Sequence, residues 1–243
     1  MGFLNKIGIG SAEVDTILDF DVVQPGADIP ARIEIEGGTD DQEIEDIELA
    51  VMTRFEVETD EGTTYETEVI TETELTNGFT IREGEQRTID AGTIHIPEST
   101  PVTYGNTEVW IHTGLDIDWS VDPEDEDYLQ VNPSPHLSAL LQAVENLGFS
   151  RHSVKNTHAP RFGPHDFAQE FEFVPHGGRY ASELDEIEVF PSQQGGVLNV
   201  VVEVDKRGMS IFGSDESHHR ITVDTTDVSA IEKQIASLID QQL

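Results

Sequence analysis

Histidines and nearby carboxylates are the residues of this chain that could bind a metal ion. Seven of the nine histidines lie in the second half of the sequence, at His136, His152, His158, His165, His176, His218 and His219. His158 and His165 are close in sequence, and Asp166 follows directly. Because imidazole nitrogens and carboxylate oxygens bind divalent metals, these residues allow a metal-dependent enzyme or a metal sensor.

The spacing of the histidines nevertheless argues against a metal site. His218 and His219 follow Asp215 and Glu216, but neighbouring side chains on a strand point to opposite faces. None of the other spacings matches the ligand pattern of a known metal motif. We therefore predict no metal ligands and keep the metal-dependent function as the alternative.

Motifs for other chemistry are incomplete or missing. The motif Gly8-Ile9-Gly10-Ser11 lacks the third glycine and the strand-to-helix context of a dinucleotide loop. No phosphate-binding loop, nucleophile elbow or zinc-protease helix motif is present, and the chain has no cysteine. Pairs of carboxylates at a catalytic spacing are expected by chance in so acidic a chain, so they are little evidence for catalysis. We predict that the protein is not an enzyme and has no catalytic residue, no cofactor-binding residue and no cofactor.

Residues 122–127 contain five acidic side chains around Pro123. Carboxylate oxygens are calcium ligands, but the run lacks the central glycine and the alternating pattern of an EF-hand loop. The sequence favours a solvated loop over a calcium site.

The large excess of acidic residues indicates the kind of solvent in which the protein works. The chain has 49 Asp plus Glu, 13 Lys plus Arg and a formal net charge of −36. The acids are spread along the whole chain, as is typical of cytosolic proteins from extreme halophiles, so stability should rise with salt because salt screens repulsion. No basic patch is present for nucleic acid or for an anionic membrane surface.

Membrane and export signals are missing from the sequence. No apolar run approaches the 18 or so residues of a membrane span, and residues 1–6 do not resemble a signal-peptide core. We expect a soluble, cytoplasmic protein without integral membrane association.

The first half of the chain alternates apolar and polar residues, which predicts half-buried strands. The longest alternations cover residues 47–57 and 107–121, and shorter ones lie near 14–23, 32–36, 65–70 and 89–96. Turn residues separate them, at Pro25-Gly26, Gly37-Gly38, Asp60-Glu61-Gly62, Asn77-Gly78, Gly84 and Gly105-Asn106. Many short strands and no helix indicate an antiparallel sandwich.

Two helices are predicted in the second half. The first follows Ser134 as N-cap and Pro135, and it ends at Gly148. The second begins near Thr226, carries one apolar stripe and should cover a sheet face. Strands are predicted near residues 149–157, 167–174, 184–190, 197–205 and 218–223. The domain boundary is predicted between residues 132 and 133.

Trp110 and His112 have the opposite parity from the apolar residues Val109 and Ile111. Their side chains should therefore point away from the core of the first domain. We expect them to pack under the second domain; contact with a partner protein is the alternative.

Motifs along nearly the whole chain resemble those of one family. They are Phe3-Leu4-Asn5-Lys6-Ile7-Gly8-Ile9-Gly10, Val14-Asp15-Thr16, Val23-Gln24-Pro25-Gly26, Ile35-Glu36-Gly37-Gly38, Ile96-Pro97-Glu98-Ser99-Thr100-Pro101-Val102-Thr103, Val109-Trp110-Ile111-His112-Thr113-Gly114-Leu115-Asp116, Asp122-Pro123, Asp127-Tyr128-Leu129, Leu147-Gly148-Phe149, Gln169-Glu170-Phe171-Glu172-Phe173-Val174-Pro175 and Val202-Glu203-Val204-Asp205. In these motifs the chain resembles the sporulation-control protein family with an arrestin-like N-terminal domain. The resemblance implies a scaffold that binds other proteins and has no known catalytic residues.

We therefore expect a mainly β protein. Residues 1–132 should form an arrestin-like antiparallel β-sandwich, and residues 133–243 a second β-rich domain with a linking helix and a C-terminal helix. The expected function is a non-enzymatic scaffold or regulator that binds unidentified cytosolic proteins in high salt. The alternative is a metal-dependent enzyme or metal sensor that uses histidines of the second domain.

Overall fold

The computed structural model describes residues 10–117, 122–207 and 218–243. These residues form mainly strands, as predicted, together with two helices. The strands are β1 (Glu13–Leu18), β2 (Val22–Val23), β3 (Asp28–Glu36), β4 (Gln42–Thr59), β5 (Gly62–Ile81), β6 (Gln86–His95), β7 (Val109–Ile117), β8 (Glu124–Tyr128), β9 (Gln130–Val131), β10 (Phe149–His158), β11 (Phe167–Pro175), β12 (Leu184–Gln194), β13 (Val197–Lys206) and β14 (His219–Val223). The helices are α1 (Pro135–Asn146) and α2 (Val228–Asp240). In the described part of the chain, no helix has the length and apolar character needed to cross a membrane.

The chain divides into two compact units. The first unit comprises Met1–Thr53, Thr67–Thr100 and Glu108–Val131. The second comprises Arg54–Glu66, Pro101–Thr107 and Asn132–Leu243. The long strands β4 and β5 contribute residues to both units. The simpler division into domains at residues 132 and 133 stays a prediction.

Two antiparallel sheets and one short parallel pair build the first unit. Strand β3 pairs with β1 on one side and with β6 on the other. In the second sheet, β4 pairs with β7 and β7 pairs with β8, while β5 pairs with β4. The strands β2 and β9 form the parallel pair. Strand β1 contacts both β7 and β8, so the two sheets touch.

The core of the first unit follows from the period-two pattern of its strands. Ile33 and Ile35 on β3 are buried, and so are Leu49 and Val51 on β4 and Ile111 on β7. Because side chains alternate between the two faces of a strand, the polar residues between these positions face outward. The alternation predicted for residues 107–121 corresponds to β7 up to Ile117, and residues 118–121 lie outside the described part, as do residues 3–9 of the N-terminal motif.

The second unit contains an antiparallel meander of β10, β11, β12, β13 and β14. The end of β4 joins β10 through a parallel bridge between Glu56 and Thr157. One face of the meander buries large apolar side chains: Phe171, Phe173, Ile187, Val189 and Val202. The five strands predicted for this half are all present.

Helices α1 and α2 contact each other, and α1 also contacts β10 and β13. The N-terminus of α1 is capped as the sequence predicts, because the Leu137 N–H donates to Ser134 Oγ at 3.3 Å. Gly148 follows the helix with a φ of 94°, a conformation that favours glycine. Asp227 caps α2 through the Ser229 N–H at 3.0 Å.

One predicted turn is wrong. Asn77-Gly78 was expected to break the chain, but β5 runs through both residues to Ile81. A Cβ atom at Gly78 would lie 3.3 Å from the Ile44 carbonyl oxygen and 3.4 Å from the Glu45 carbonyl oxygen on β4. The glycine therefore permits a close approach between paired strands instead of forming a hairpin.

Candidate functional site

The structure separates the histidines that were considered as metal ligands. The His158 ring stacks on Phe55 with centroids 6.0 Å apart, and the His165 ring stacks on Phe167 at 5.4 Å. Phe55 and Phe167 stack on each other at 6.0 Å. His158 and His165 thus lie at the two ends of a row of four aromatic rings, where each packs against a phenylalanine ring.

His218 lies in a different environment in the second unit. Its Nδ1 is 2.5 Å from Glu203 Oε1, and its ring meets Phe162 edge-on at 5.2 Å. Asp215 and Glu216 lie outside the described residues. Among the residues that the structure describes, no group of three or more His, Asp or Glu side chains is arranged to hold a metal ion.

Three carboxylates form a row across the face of the meander opposite its apolar face. Glu172 on β11 is directly opposite Glu188 on β12, and Glu188 is directly opposite Glu203 on β13. We call Glu172, Glu188 and Glu203 the carboxylate row. Side chains at directly opposite positions lie about 4.5–5.5 Å apart at Cβ, where like charges destabilise a sheet. The row therefore has an electrostatic cost when all its members are ionised.

Burial raises the pKa values of carboxyl groups in and beside the row. Burial, followed by the charge of Glu203, raises the pKa of Glu188 to about 7. Burial and a hydrogen bond with Glu172 raise the pKa of Glu186 to about 7. These groups can take up a proton near neutral pH, where ordinary carboxyl groups are ionised.

Lys155 and Glu170 form an ion pair beside the row. Lys155 on β10 is opposite Glu170 on β11, with Nζ 3.4 Å from Oε1. The Glu170 side chain is only 8% exposed. Burial raises the pKa of Glu170 to about 7, against the opposing effect of the Lys155 charge. The cost of desolvation exceeds the gain from this one cation.

Residues 159–166 fold onto the same face of the meander. Phe162 packs on Phe190 with ring centroids 4.6 Å apart, within a buried apolar cluster completed by Ala159, Ala168 and Val201. Arg161 reaches within 3.9 Å of Glu203. Glu203 thus lies close to two basic side chains, Arg161 from this segment and His218 from the residues before β14.

Aspartates also converge in the first unit. Asp125 and Asp127 belong to β8, so the prediction of a solvated loop at residues 122–127 is wrong for most of the run. The Thr16 N–H on β1 donates to Asp125 Oδ2 at 2.8 Å. Burial, followed by the charges of Asp125 and Asp15, raises the pKa of Asp127 to about 7. These side chains alternate with exposed Glu124 and Glu126, as on any half-buried strand.

Trp110 is buried, at 7% exposure, so its ring is not an exposed contact surface. Tyr128 on β8 lies against it with ring centroids 5.9 Å apart. Tyr128 itself is 55% exposed. The opposite parity of Trp110 was predicted correctly, but parity alone does not show whether a ring is covered.

Strand β5 is long and largely exposed to solvent. Within the described residues it pairs with β4 alone. Almost all of its described side chains are exposed or half-buried, and Val69 is 41% exposed. A long strand with one unpaired edge can accept a further strand. The sequence indicated a strand only at residues 65–70, so the length of this edge was missed.

Three comparisons with known proteins identify the family. The family model described as SpoOM protein matches residues 1–208. The sporulation-control protein spo0M of Bacillus subtilis (strain 168) is 36% identical over 219 residues, which cover 88% of this chain and 84% of that protein. The crystal structure of Spo0M, sporulation control protein, from Bacillus subtilis matches with a TM-score of 0.86 and 32% identity, covering 97% of this chain and 100% of that one.

The fold and its surfaces define a mainly β protein with two compact units, a long exposed strand and clustered carboxyl groups. The chain belongs to the Spo0M family of sporulation-control proteins. The family resemblance of the sequence motifs is therefore confirmed.

Proposed function

We propose that this chain is a non-enzymatic scaffold or regulatory protein that binds other proteins in the cytoplasm and is adapted to high salt. Membership of a family named for sporulation control supports a regulatory role. In the proposal the first unit acts as an arrestin-like sandwich, which presents sheet edges and loops to its partners.

The observation that carries the proposal is the exposed edge of β5. The backbone donors and acceptors on one side of β5 pair with β4. Within the described residues, those on the other side pair with no further strand, so a partner can bind them. Natural proteins usually shorten or cover such an edge, because it invites pairing with other chains. A strand of this length with exposed side chains suits a protein whose work is binding.

The charge distribution supports adaptation to high salt. The 49 acidic residues outnumber the 13 basic residues by 36, so the chain cannot neutralise its own negative charge. Glu172, Glu188 and Glu203 also lie opposite one another across three strands. Salt shortens the Debye length to about 3 Å at 1 M. It therefore reduces the repulsion among the acidic residues of the whole chain and the repulsion within the carboxylate row.

An affinity capture experiment tests the binding function. The purified chain is immobilised and exposed to lysate of its source organism at the native salt concentration, with an unrelated protein of matched negative charge as control. We expect specific proteins that also capture this chain in the reciprocal experiment. Recovery of the same proteins by the control, or of none by either, would contradict the proposal.

Metal analysis tests the proposal against the metal-dependent alternative. Protein purified without an affinity tag should contain zinc, nickel and iron well below one equivalent per chain. Stoichiometric metal that is lost in a His158→Ala or His218→Ala variant would instead favour the metal-dependent alternative.

A further inference from the structure

The edges of the first unit differ in how well they are protected. Strand β8 has five residues and lies against β1. The Thr16 N–H on β1 donates a hydrogen bond to Asp125 on β8. Strand β6 pairs with β3 through a register shift between Ala31 and Arg32, and such irregularities protect an edge from further pairing. Strand β5 has 20 residues and an unpaired side within the described structure.

The portion of β5 within the first unit has two chemically distinct faces. Along residues 67–75, Val69, Thr71 and Thr73 share one parity, and Glu68, Glu72 and Glu74 share the other with buried Ile70. Val69 and Thr73 are exposed, while Thr71 is half-buried. Threonine and valine favour extended backbone and pack well against β-branched residues of a neighbouring strand.

Glu72 and Glu74 on the acidic face have no basic neighbour within this segment. Residues 67–75 contain no basic residue. Glu72 and Glu74 are exposed, and no ion pair is formed by either within the described residues. A strand laid along this edge would place its own side chains about 4.5–5.5 Å from these carboxylates. Basic side chains at those positions would form cross-strand pairs with them.

We propose that residues 67–75 of β5 bind their partner by strand addition, and that the bound segment is an extended peptide alternating Lys or Arg with β-branched residues. Backbone hydrogen bonds hold the peptide along the edge. Its basic side chains lie beside Glu72 and Glu74, and its β-branched side chains lie beside Val69, Thr71 and Thr73. This inference rests on the proposed binding function and specifies its surface and its ligand.

Carboxylates on the edge also determine which kind of strand can pair with it. Charged residues on an exposed edge deter pairing between identical chains. A second copy of this chain would set Glu72 and Glu74 against identical carboxylates, whereas a basic segment meets them with opposite charge. Charge complementarity therefore favours the peptide over a second copy.

Peptide binding tests the chemistry of the ligand. The probe is a fluorescein-labelled peptide Lys-Val-Lys-Thr-Lys-Val-Lys-Thr-Lys, measured by fluorescence anisotropy with the full chain at 0.5 M and 3 M KCl. A peptide with Glu in place of every Lys is the comparison. We expect saturable binding of the basic peptide at both salt concentrations, with the larger preference over the acidic peptide at 0.5 M because screening is weaker there.

N-methylated peptides test strand addition itself. Successive N–H groups of a strand point to opposite edges, so one peptide is methylated at its Lys amides and another at its Val and Thr amides. We expect one of them to bind at least about tenfold more weakly, since it loses several backbone hydrogen bonds, and the other to bind within about threefold of the parent. Equal loss or equal retention in both peptides would overturn strand addition.

A charge-neutral variant locates the binding surface. The Glu72→Gln/Glu74→Gln double variant should bind the basic peptide about two- to thirtyfold more weakly at 0.5 M KCl, from two lost cross-strand pairs. The control is Glu145→Gln/Asp224→Asn, which removes two exposed carboxylates from the second unit. Circular dichroism of each variant verifies the fold. Equal affinity of both variants would contradict the assignment to β5.

Two further outcomes separate this inference from the proposed function. If lysate partners are captured equally well by wild type and by Glu72→Gln/Glu74→Gln, and the basic peptide does not bind, strand addition is wrong although the binding function stands. If light scattering shows dimers that excess peptide does not dissociate, the occupant of the edge is a second copy, and the proposed ligand is wrong.

Discussion

Glu188 on β12 lies directly opposite Glu203 on β13, and on its other side it lies directly opposite Glu172 on β11. Three strands thus bring together carboxylates that are far apart in sequence, on the face of the meander opposite Phe171 and Phe173. Ionisation of the middle residue is disfavoured, because burial and then the charge of Glu203 raise the pKa of Glu188 to about 7.

Removing the middle charge should stabilise the protein. In Glu188→Gln the amide keeps the shape of the side chain and removes two like-charge pairs, so the free energy of unfolding at pH 8 should rise by about 0.4–2 kcal/mol. Urea denaturation at fixed KCl measures the change. The exposed Glu145→Gln variant should lie within about 0.5 kcal/mol of wild type. Destabilisation of Glu188→Gln at pH 8 would show that its charge is favourable.

Stability should fall as pH rises from 5 to 8. The pKa values of Glu170, Glu186, Glu188 and Asp127 are each about 7 in the folded chain, above the ordinary pKa values of 4.5 for Glu and 3.8 for Asp. Between these limits the folded state binds more protons than the unfolded state, so the free energy of unfolding decreases with pH. The stabilisation is fully present below pH 4 or so and is lost as pH rises through about 7.

The size of this pH effect follows from the pKa shifts. A shift of one pKa unit corresponds to about 1.4 kcal/mol. Most of these carboxyl groups are partly exposed and they share their interactions, so we count only about two units in total, which is a loss of roughly 3 kcal/mol between pH 5 and pH 8. For a chain of this size that lowers the melting temperature by about 6–12 °C. Differential scanning calorimetry at constant ionic strength measures it. A melting temperature that rises over the same range would be incompatible with these pKa shifts.

Salt should stabilise the protein most strongly at high pH. Between 0.1 M and 1 M KCl the Debye length falls from about 10 Å to about 3 Å, which screens repulsion between ionised carboxylates. We expect the melting temperature to rise with KCl at pH 8 and to rise less at pH 5. The slope at pH 8 should be smaller for Glu188→Gln than for Glu145→Gln. A melting temperature that does not change with KCl would argue against salt adaptation.

Loss of the Lys155 charge should matter only where Glu170 is ionised. In Lys155→Met the buried Glu170 carboxylate loses its cation, 3.4 Å away in wild type. Because Lys155 is partly exposed, we expect destabilisation of about 1–3 kcal/mol at pH 8, below the cost of breaking a fully buried pair. At pH 5 Glu170 is protonated in both proteins, so the difference should shrink.

The control for this prediction is Lys233→Met, which removes an exposed cation on α2. It should change stability by no more than about 0.5 kcal/mol at either pH. Equal destabilisation by Lys155→Met at pH 5 and pH 8 would indicate that the methylene stem of Lys155, and not its charge, is the stabilising part.

Sequence patterns predicted the elements that depend on local chemistry. The parity of Leu49 and Val51 identified β4, and Ser134 with Gly148 identified both ends of α1. These predictions succeed because side-chain alternation and helix capping are decided by residues close together in the chain.

The arrangement of the candidate site depends on pairing between strands, which local patterns do not contain. Glu172, Glu188 and Glu203 are opposite one another only because of the register of β11, β12 and β13, which includes a shift between Leu184 and Glu186. Asn77-Gly78 reads locally as a turn, but β4 holds it in a strand. Long-range pairing outweighs local preference in both cases.

Trp110 provides the first unit with an optical reporter. Its indole is 7% exposed, and within the described structure its N–H donates no hydrogen bond. An indole in apolar surroundings emits at shorter wavelength than one in water, so separation of β8 from β7 would shift its emission to the red as Tyr128 leaves. Trp119, which lies outside the described residues, is the other tryptophan. A Trp119→Phe variant would make tryptophan fluorescence a measure of the surroundings of Trp110 alone.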